Sequence, residues 1–393
     1  MRALTFSIVV IFIAVVWPGS AFSQSSDEPE TGIFAVRLYN GINRPAIVNV
    51  RFDPVHDEAS VALLDADGRM LRRLPGIRPG RFDLAERDSD FWQRKTCVYA
   101  QLMLLDTPVG APLVIQPMLT RQVPITSREI HPSYGDWYTR IIGWRDENAP
   151  EPKREPEVFT APGEERPTDS IEPKEDDDSE NSAPVEVIST GVRMFPERDV
   201  LMRTTEGDIR FAMAHHAAPN TAWNFIHLCE GGFYDNVIYH RVVPFDREGR
   251  PFVIQAGDPS ETGDGGPGYW LPIESSTLPH DFGVISMARA DDPDSAGSQF
   301  FVCLSREGTA RLDVQYCAFG FAIDGRETIL KIAQTPLADP ATGAPVDAPV
   351  ILETRVEPAP PRVPDVPRAA WRVPEVLVVE PPKKSETPER VPR

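Results

Sequence analysis

Hydrophobic and polar positions alternate in short bursts along most of the chain, and long helical periods are rare. Between residues 31 and 145 the apolar bursts include AIVNVRF, SVALL, CVYAQLML and PLVIQPML, and Gly and Pro separate them. An alternation with a period of two is typical of strands, and Asp67-Gly68 between two bursts is typical of a hairpin turn. We therefore predict a small β-sandwich or β-barrel of six to eight strands over residues 31–145.

A second strand-rich region is predicted over residues 191–356. It begins with a hairpin around Glu206-Gly207. Pro219 then begins a helix with one apolar stripe, and Gly231-Gly232 ends it. A second helix is predicted over about residues 327–334, and the other apolar runs read as strands.

The segment GVISMARADDPDSAGSQFFVCL, residues 283–304, is the densest part of this region. It predicts two strands joined by a polar loop. In the second strand Gln299, Phe301 and Cys303 share one face, because successive side chains point to opposite sides of a sheet. A Gln beside a Phe predicts a surface that binds something both apolar and amide-like.

Three further motifs flank this segment. YDNVIYHRVV contains His240 and Arg241, PFVIQAGDP contains Phe252 and Gln255, and RLDVQYCAFGFAIDG follows. In order and spacing the four motifs resemble the cyclophilin family of peptidyl-prolyl isomerases over residues 199–356. The resemblance implies a mainly β fold, an eight-stranded antiparallel β-barrel capped by two helices, with the active site in a groove on its outer face.

The resemblance also implies the site residues. Arg241 matches the catalytic arginine, and Gln255 matches the polar residue that steadies this arginine and fixes the substrate carbonyl. The residues that match substrate-binding positions are Phe252, Val253, Gly263, Ala288, Arg289, Gln299, Phe301, Leu312 and Tyr316.

Four features depart from the family pattern. Arg289 stands where many members have Asn, and Val253 replaces a Met. Arg311 stands where an aromatic ring is common before Leu312, so we expect altered groove polarity and weak cyclosporin binding. Phe245 to Arg250 resembles an insertion between Arg241 and Phe252, which predicts a longer turn beside the groove.

The first 23 residues have the layout of a secretory signal peptide. An arginine precedes the ten-residue apolar run Ile8 to Trp17, and small residues follow Pro18-Gly19. The run is short for a bilayer span, which needs about 20 apolar residues, so an uncleaved anchor is the less favoured alternative. We expect an exported protein, periplasmic or extracellular, without stable membrane insertion after cleavage.

Two segments outside the strand-rich regions have the composition of disordered chain. Residues 146–190 predict an acidic linker, since residues 146–186 hold fifteen acidic and four basic residues. Residues 357–393 have a Pro about every fourth position, which predicts a disordered tail. The net charge of −19 excludes nucleic acid as a typical partner, because such partners need a basic surface.

The four cysteines leave two interpretations. An exported chain could pair them as disulfides, but Cys229 falls on a helix and Cys303 and Cys317 on strands, which favours buried free thiols. No Cys/His cluster indicates a metal, and no cofactor is expected.

The leading functional hypothesis is a prolyl cis-trans isomerase that acts on Xaa-Pro bonds of exported proteins and assists their folding. The alternative is a catalytically weak module or scaffold that binds proline peptides. A third hypothesis is that an Ala-Pro of the chain's own linker or tail occupies the groove and inhibits it.

Overall fold

β-strands dominate the computed structural model, which describes residues 31–54, 59–130, 137–147 and 187–375. The predicted signal segment, most of the predicted linker and residues 376–393 of the predicted tail lie outside the described residues. Among the described residues, no helix combines the length and apolar character needed to cross a bilayer.

The described residues up to 147 form the N-terminal β region. Their elements are β1 (Gly32–Ala35), β2 (Tyr39–Gly41), β3 (Ile47–Arg51), β4 (Ala59–Leu64), β5 (Met70–Ile77), β6 (Gly80–Asp83), α1 (Leu84–Arg87), a 3₁₀ turn (Phe91–Gln93), β7 (Val98–Leu104), β8 (Thr107–Leu119), β9 (Gln122–Ile130) and β10 (Trp137–Asp146).

The described residues from 187 onward contain a first strand that belongs to a sheet of the N-terminal β region, then the barrel region and its C-terminal extension. Their elements are β11 (Ser189–Pro196), β12 (Arg198–Thr204), β13 (Gly207–Met213), α2 (Pro219–Glu230), β14 (Val237–Ile238), β15 (Arg241–Phe245), β16 (Pro251–Ala256), β17 (Val284–Met287), β18 (Phe300–Cys303), α3 (Arg306–Thr309), a 3₁₀ turn (Ala310–Leu312), β19 (Ala318–Asp324), α4 (Arg326–Ala333), β20 (Leu337–Asp339), β21 (Ala344–Pro345), β22 (Val350–Pro358) and a 3₁₀ turn (Arg368–Trp371).

The N-terminal β region contains a six-stranded sheet in the order β2-β11-β8-β7-β4-β5, a three-stranded sheet in the order β1-β3-β6, and the hairpin β9-β10. All six side chains of β4 are buried, as expected of an apolar strand between two neighbours. The hairpin predicted at Asp67-Gly68 is confirmed, since β4 and β5 pair in antiparallel fashion and Gly68 has a φ of +80°.

The barrel region is one nine-stranded antiparallel sheet in the order β14-β22-β12-β13-β19-β17-β18-β16-β15. The mainly β prediction is confirmed, and so is the hairpin at Glu206-Gly207, which joins β12 to β13. The sheet has one strand more than the resemblance implies, because the two-residue strand β14 pairs with the start of β22.

Aromatic packing fills the space between this sheet and α2. Phe225 of α2 is fully buried, and its ring lies 5.1 Å from that of Phe319 and 5.5 Å from that of Phe300. The predicted apolar stripe of α2 is confirmed, because Ala222, Phe225, Ile226 and Cys229 are all buried. Burial of each large apolar side chain contributes about 2 kcal/mol to folding.

All four cysteines are buried and free, which agrees with the free-thiol interpretation. Burial raises the pKa of the Cys97 thiol to about 12 and that of the Cys317 thiol to about 12. Since the thiolate is the reactive form, these side chains pack as small hydrophobic groups.

The boundary between the two regions differs from the sequence prediction. Residues 191–196 were expected in the barrel region, but β11 pairs with β8 and β2 of the N-terminal sheet. The reason is that side chains on both faces of β11 are buried in this sheet: Val192 and Met194 pack in one apolar cluster and Phe195 in another. The chain crosses from one sheet to the other between Pro196 and Arg198.

The C-terminal segment, residues 359–375, also differs from the expectation of a disordered tail. It packs against both sheets: Asp365 N donates to Gly68 O at 2.8 Å, and Val373 N donates to Ala322 O at 3.0 Å. Arg362 forms two 2.8 Å hydrogen bonds with the fully buried carboxylate of Glu197. Charge pairing therefore orders a stretch whose proline content alone favours disorder.

A second arginine reinforces this attachment. Arg368 Nη1 lies 2.9 Å from Glu197 Oε1, and its Nη2 bonds to Asp199 Oδ1. The guanidinium of Arg362 lies 3.5 Å from the ring centroid of Tyr99, on β7. The two arginines thus hold the C-terminal segment where the two sheets meet.

His215 gives the fold a pH dependence. Its ring is fully buried against Phe195, with 5.0 Å between ring centroids, and burial lowers its pKa to about 3, although the Glu197 charge acts in the opposite direction. An unfolded His titrates near 6.5, so the unfolded chain binds more protons between pH 6.5 and pH 3. Stability is therefore fully present above pH 6.5 and is lost as the pH falls below it.

We expect His215 alone to lower the free energy of unfolding by about 2 kcal/mol between pH 7 and pH 5. Urea unfolding of the wild type and of His215→Phe at both pH values measures this contribution. The difference between the two proteins in their change of unfolding free energy isolates His215, because the contributions of other titrating groups, Asp199 among them, cancel. An equal pH dependence in the two proteins would contradict the expectation.

Candidate active site

A row of side chains crosses four strands on one face of the barrel sheet. Arg241 on β15 lies opposite Gln255 on β16, which lies opposite Phe301 on β18, which lies opposite Ser286 on β17. Residues directly opposite in antiparallel strands place their side chains on the same face. The predicted alternation in β18 is confirmed, since Phe300 and Val302 belong to the main core cluster and Phe301 and Cys303 to a second cluster on the other face.

A chain of hydrogen bonds fixes the arginine of this row. Arg241 Nη1 donates to Gln255 Oε1 at 3.0 Å, and Gln255 Nε2 donates to Gln299 Oε1 at 3.0 Å. Gln299 Nε2 in turn donates to the carbonyls of Gly263 at 2.7 Å and Gly265 at 2.9 Å. The glycine-rich loop therefore sets the orientation of both amides, and through them the position of the guanidinium.

Asp258 holds the glycine-rich loop in turn. Its buried carboxylate accepts hydrogen bonds from Ser260 N at 2.7 Å and Gly263 N at 2.5 Å. Burial raises the pKa of Asp258, but these bonds outweigh burial and lower it to about 2. The loop thus has a charged anchor over the ordinary pH range.

An apolar surface lies beside the arginine. Phe301 and Val253 are nearly buried, and Phe252, Leu312 and Tyr316 pack against the same cluster while remaining partly open. The rings of Phe301 and Tyr316 meet edge to face, with 5.6 Å between their centroids. Together they form a flat-walled apolar patch next to a cation.

Burial of Arg241 lowers its pKa, and the nearby Tyr316 acts in the opposite direction. Within the described residues its guanidinium has an amide partner and no carboxylate partner. An arginine without a carboxylate keeps its charge available for a ligand.

The predicted site residues are brought together as follows. Arg241, Phe252, Arg289, Leu312 and Tyr316 line one cleft of about 1250 Å³. Val253 and Phe301 belong to the apolar cluster against which Phe252, Leu312 and Tyr316 pack. Gln255, Gln299 and Gly263 form the hydrogen-bonded chain to Arg241, and Ala288 donates its backbone N–H to Gln299 O at 2.9 Å.

The turn predicted between Phe245 and Arg250 is held by hydrogen bonds between its own residues. The Asp246 carboxylate, nearly without solvent exposure, accepts from Arg250 N at 2.9 Å and from Arg311 Nη1 at 3.0 Å. The Arg311 guanidinium lies 4.5 Å from the ring centroid of Phe252. The turn therefore leaves the pairing of Arg241 with Gln255 intact and holds Arg311 over the apolar patch.

Sequence reasoning missed the support under the apolar patch. His280 is buried, its ring stacks on Phe301 with 5.9 Å between centroids, and its Nε2 lies 2.9 Å from Ser286 Oγ. Its Nδ1 lies 3.1 Å from Asp313 Oδ1. Burial lowers the pKa of His280, and Asp313 opposes that shift. A lone His after a Pro carries no local signal of this role.

Comparison with known proteins assigns the barrel region to a family. The family model described as cyclophilin type peptidyl-prolyl cis-trans isomerase/CLD matches residues 199–356. A peptidyl-prolyl cis-trans isomerase of Synechococcus elongatus is 42% identical over 120 residues, which are 30% of this chain and 77% of the relative. Peptidyl-prolyl cis-trans isomerase 10 of Caenorhabditis elegans is 38% identical over 138 residues, which are 34% of this chain and 80% of the relative.

Among solved structures, a cyclophilin type peptidyl-prolyl cis-trans isomerase of Cryptosporidium parvum aligns with a TM-score of 0.38 and 32% identity. The alignment covers 42% of this chain and 99% of that one.

Proposed function

Since this chain belongs to the cyclophilin-type peptidyl-prolyl cis-trans isomerases, we propose that it is exported and isomerises Xaa-Pro bonds of exported polypeptides, which assists their folding. Its relatives support the reaction. The charged start, the apolar run and the small residues of the first 23 positions support export to the periplasm or the exterior.

The reaction has a barrier of about 18–20 kcal/mol, because rotation about the amide C–N bond breaks its resonance. An enzyme lowers this barrier by binding the twisted amide better than either planar form. In the twisted amide the proline nitrogen becomes pyramidal and gains a lone pair. A donor aimed at that nitrogen binds the transition state selectively and needs no proton transfer.

We assign this donor role to Arg241. The 3.0 Å hydrogen bond from Arg241 to Gln255 is the observation that supports this proposal, because it holds the guanidinium beside the apolar patch. Within the described residues this guanidinium has no carboxylate partner. Gln255 steadies this guanidinium and has a second role toward the substrate carbonyl. Phe252, Leu312 and Tyr316 supply walls for the proline ring, over a floor of Val253 and Phe301.

The residues before the proline require a groove with backbone hydrogen-bonding groups. Ala288, Arg289 and Gln299 supply this groove, and Gly263 borders it through its bond to Gln299. Arg289 is oriented for this position by its Nε, which donates to Gln315 O at 3.1 Å, and by the Tyr316 ring, whose centroid lies 4.7 Å from the guanidinium.

Two measurements test the proposal. Exchange NMR on an Ala-Pro peptide with the full chain should give acceleration well above the spontaneous rate. Measurable peptide affinity with a background rate would instead favour the alternative, a binding module without turnover. For export, the intact chain should accumulate outside the cytoplasm, and deletion of residues 1–23 should retain it inside. Equal distribution of both forms would overturn the export part.

We expect weak cyclosporin binding, because Arg311, whose guanidinium lies over the Phe252 ring, stands where the family commonly has an aromatic ring. Arg311→Trp should lower the dissociation constant for cyclosporin at least tenfold, as measured by fluorescence titration. Asp246 keeps its bonds from Arg250 in this variant, so the turn should persist. The same affinity in both proteins would contradict the role given to Arg311.

A further inference from the structure

The hairpin β9-β10 of the N-terminal β region docks against the barrel region. Ile141 N donates to Gln315 Oε1 at 2.8 Å, and Gln315 Nε2 donates to Ile141 O at 3.3 Å. The Ile141 side chain is 4% exposed and belongs to the core cluster of the barrel region. At the base of the hairpin, Arg121 Nη2 lies 2.8 Å from Asp294 Oδ2. Backbone, apolar and charged contacts thus fix its position.

This docking places the hairpin at the cleft. Tyr138, Thr139 and Arg140 line the same cleft as Arg241 and Leu312. These three residues lie outside residues 199–356, which the family model matches. The N-terminal β region therefore contributes a wall to a cleft whose other walls come from the isomerase fold.

The cleft is basic although the chain is acidic. Among the described residues, six arginines and three aspartates line it, while the whole chain has a net charge of −19. Two of the aspartates are already paired, Asp246 with Arg250 and Arg311, and Asp313 with Arg306. The cleft therefore has a local excess of positive charge, which attracts negatively charged groups of a ligand.

Two arginines on either side of the hairpin contact are available to a ligand. Among its described contacts, the guanidinium of Arg289 donates only to backbone carbonyls, those of Ala290, Asp291 and Gln315. Arg140 is half exposed and lies 3.6 Å from the Glu129 carboxylate, a loose pair. Both can approach a carboxylate without first breaking a close ion pair.

The geometry points to an acid-selective subsite formed by Arg140 of the hairpin and Arg289 of the barrel region, which binds Asp or Glu side chains just before the Xaa-Pro bond. The occupant is an acidic, proline-containing polypeptide, and charge complementarity is the reason for this choice. The inference rests on the proposed function, since it concerns the substrate of the same cleft.

The test compares three peptides that differ only at the two positions before Ala-Pro: Glu-Glu, Gln-Gln and Lys-Lys. Exchange NMR with the full chain avoids the sequence preference of a coupling protease. We expect kcat/KM about fivefold to tenfold higher for the Glu-Glu peptide than for the Gln-Gln peptide, and lowest for Lys-Lys. The preference should shrink as ionic strength rises, because salt screens partly exposed charges.

Arg140→Gln tests the hairpin itself and should remove most of the preference for Glu-Glu over Gln-Gln. Its matched control is Arg128→Gln on β9, an arginine that lies 6.0 Å from the Trp137 ring centroid and does not line the cleft. This control should keep the preference.

The outcomes separate the two proposals. Equal, Arg241-dependent rates for the three peptides would overturn the acid-selective subsite and leave the isomerase function standing. An undiminished preference in Arg140→Gln would overturn the contribution of the hairpin. Background rates for every peptide would overturn the proposed function and, with it, this inference.

Discussion

Arg241→Ala is expected to lower kcat/KM for an Ala-Pro peptide about a hundredfold. The removed guanidinium is the donor assigned to the pyramidal proline nitrogen, and loss of one well-placed donor costs about 3 kcal/mol of transition-state stabilisation. Arg241→Lys should recover little, because the shorter, compact ammonium does not reproduce the hydrogen bond to Gln255. Exchange NMR at several enzyme concentrations gives the rate constants.

Arg210→Ala is the matched control for this experiment. Arg210 lies on β13 of the same sheet, pairs with Glu357 at 2.6 Å, and does not line the cleft. It should retain activity close to that of the wild type. If folded Arg241→Ala, with an unchanged circular dichroism spectrum, kept its full rate, the catalytic role of Arg241 would be wrong.

Arg362→Ala should lower the free energy of unfolding by about 3 kcal/mol. Breaking a buried pair by removing one partner costs about 3–5 kcal/mol, because the remaining charge is left without compensation. Here the remaining group is Glu197, whose side chain is fully buried and which keeps Arg368 at 2.9 Å, so a loss at the low end of that range is expected. Burial raises the pKa of Glu197, but Arg362 and Arg368 outweigh burial and lower it to about 2, so it stays ionised at neutral pH.

Urea unfolding with a double-mutant cycle measures this effect. Adding Glu197→Gln to Arg362→Ala should restore part of the loss, because the buried carboxylate that has lost its two bonds from Arg362 is removed, while Arg368 keeps its bond to Asp199. Arg355→Ala is the control: Arg355 forms a 2.8 Å pair with Glu353 on β22 and is half exposed. Such surface pairs contribute about 0–1 kcal/mol. Equal losses in Arg355→Ala and Arg362→Ala would contradict the account of the buried pair.

Local signals predicted several elements of the fold, and the family resemblance supplied the candidate site residues. Asp67-Gly68 and Glu206-Gly207 each fix a turn between two strands, so their hairpins can be predicted from a few residues. Alternation in β18 predicted correctly that Phe301 and Cys303 share a face, because the strand period is two. The bond from Arg241 to Gln255 agrees with the roles that the family resemblance implies for them.

Long-range pairing could not be predicted in the same way. Glu197 and Arg362 are 165 residues apart, and a single arginine among prolines carries no sign of its partner. The same holds for Ile141 and Gln315, which are 174 residues apart. Their contacts depend on how two sheets pack together, and no window of adjacent residues contains that information.

The C-terminal segment has a consequence for dissection of the chain. The family match ends at residue 356, which suggests a convenient excision point. A fragment cut there would retain the acidic Glu197 and Asp199 without the cations that neutralise them. The barrel region therefore cannot be excised at residue 356 without loss of stability. A protease that cleaves the chain just after β22 would lower the stability of both the N-terminal β region and the barrel region.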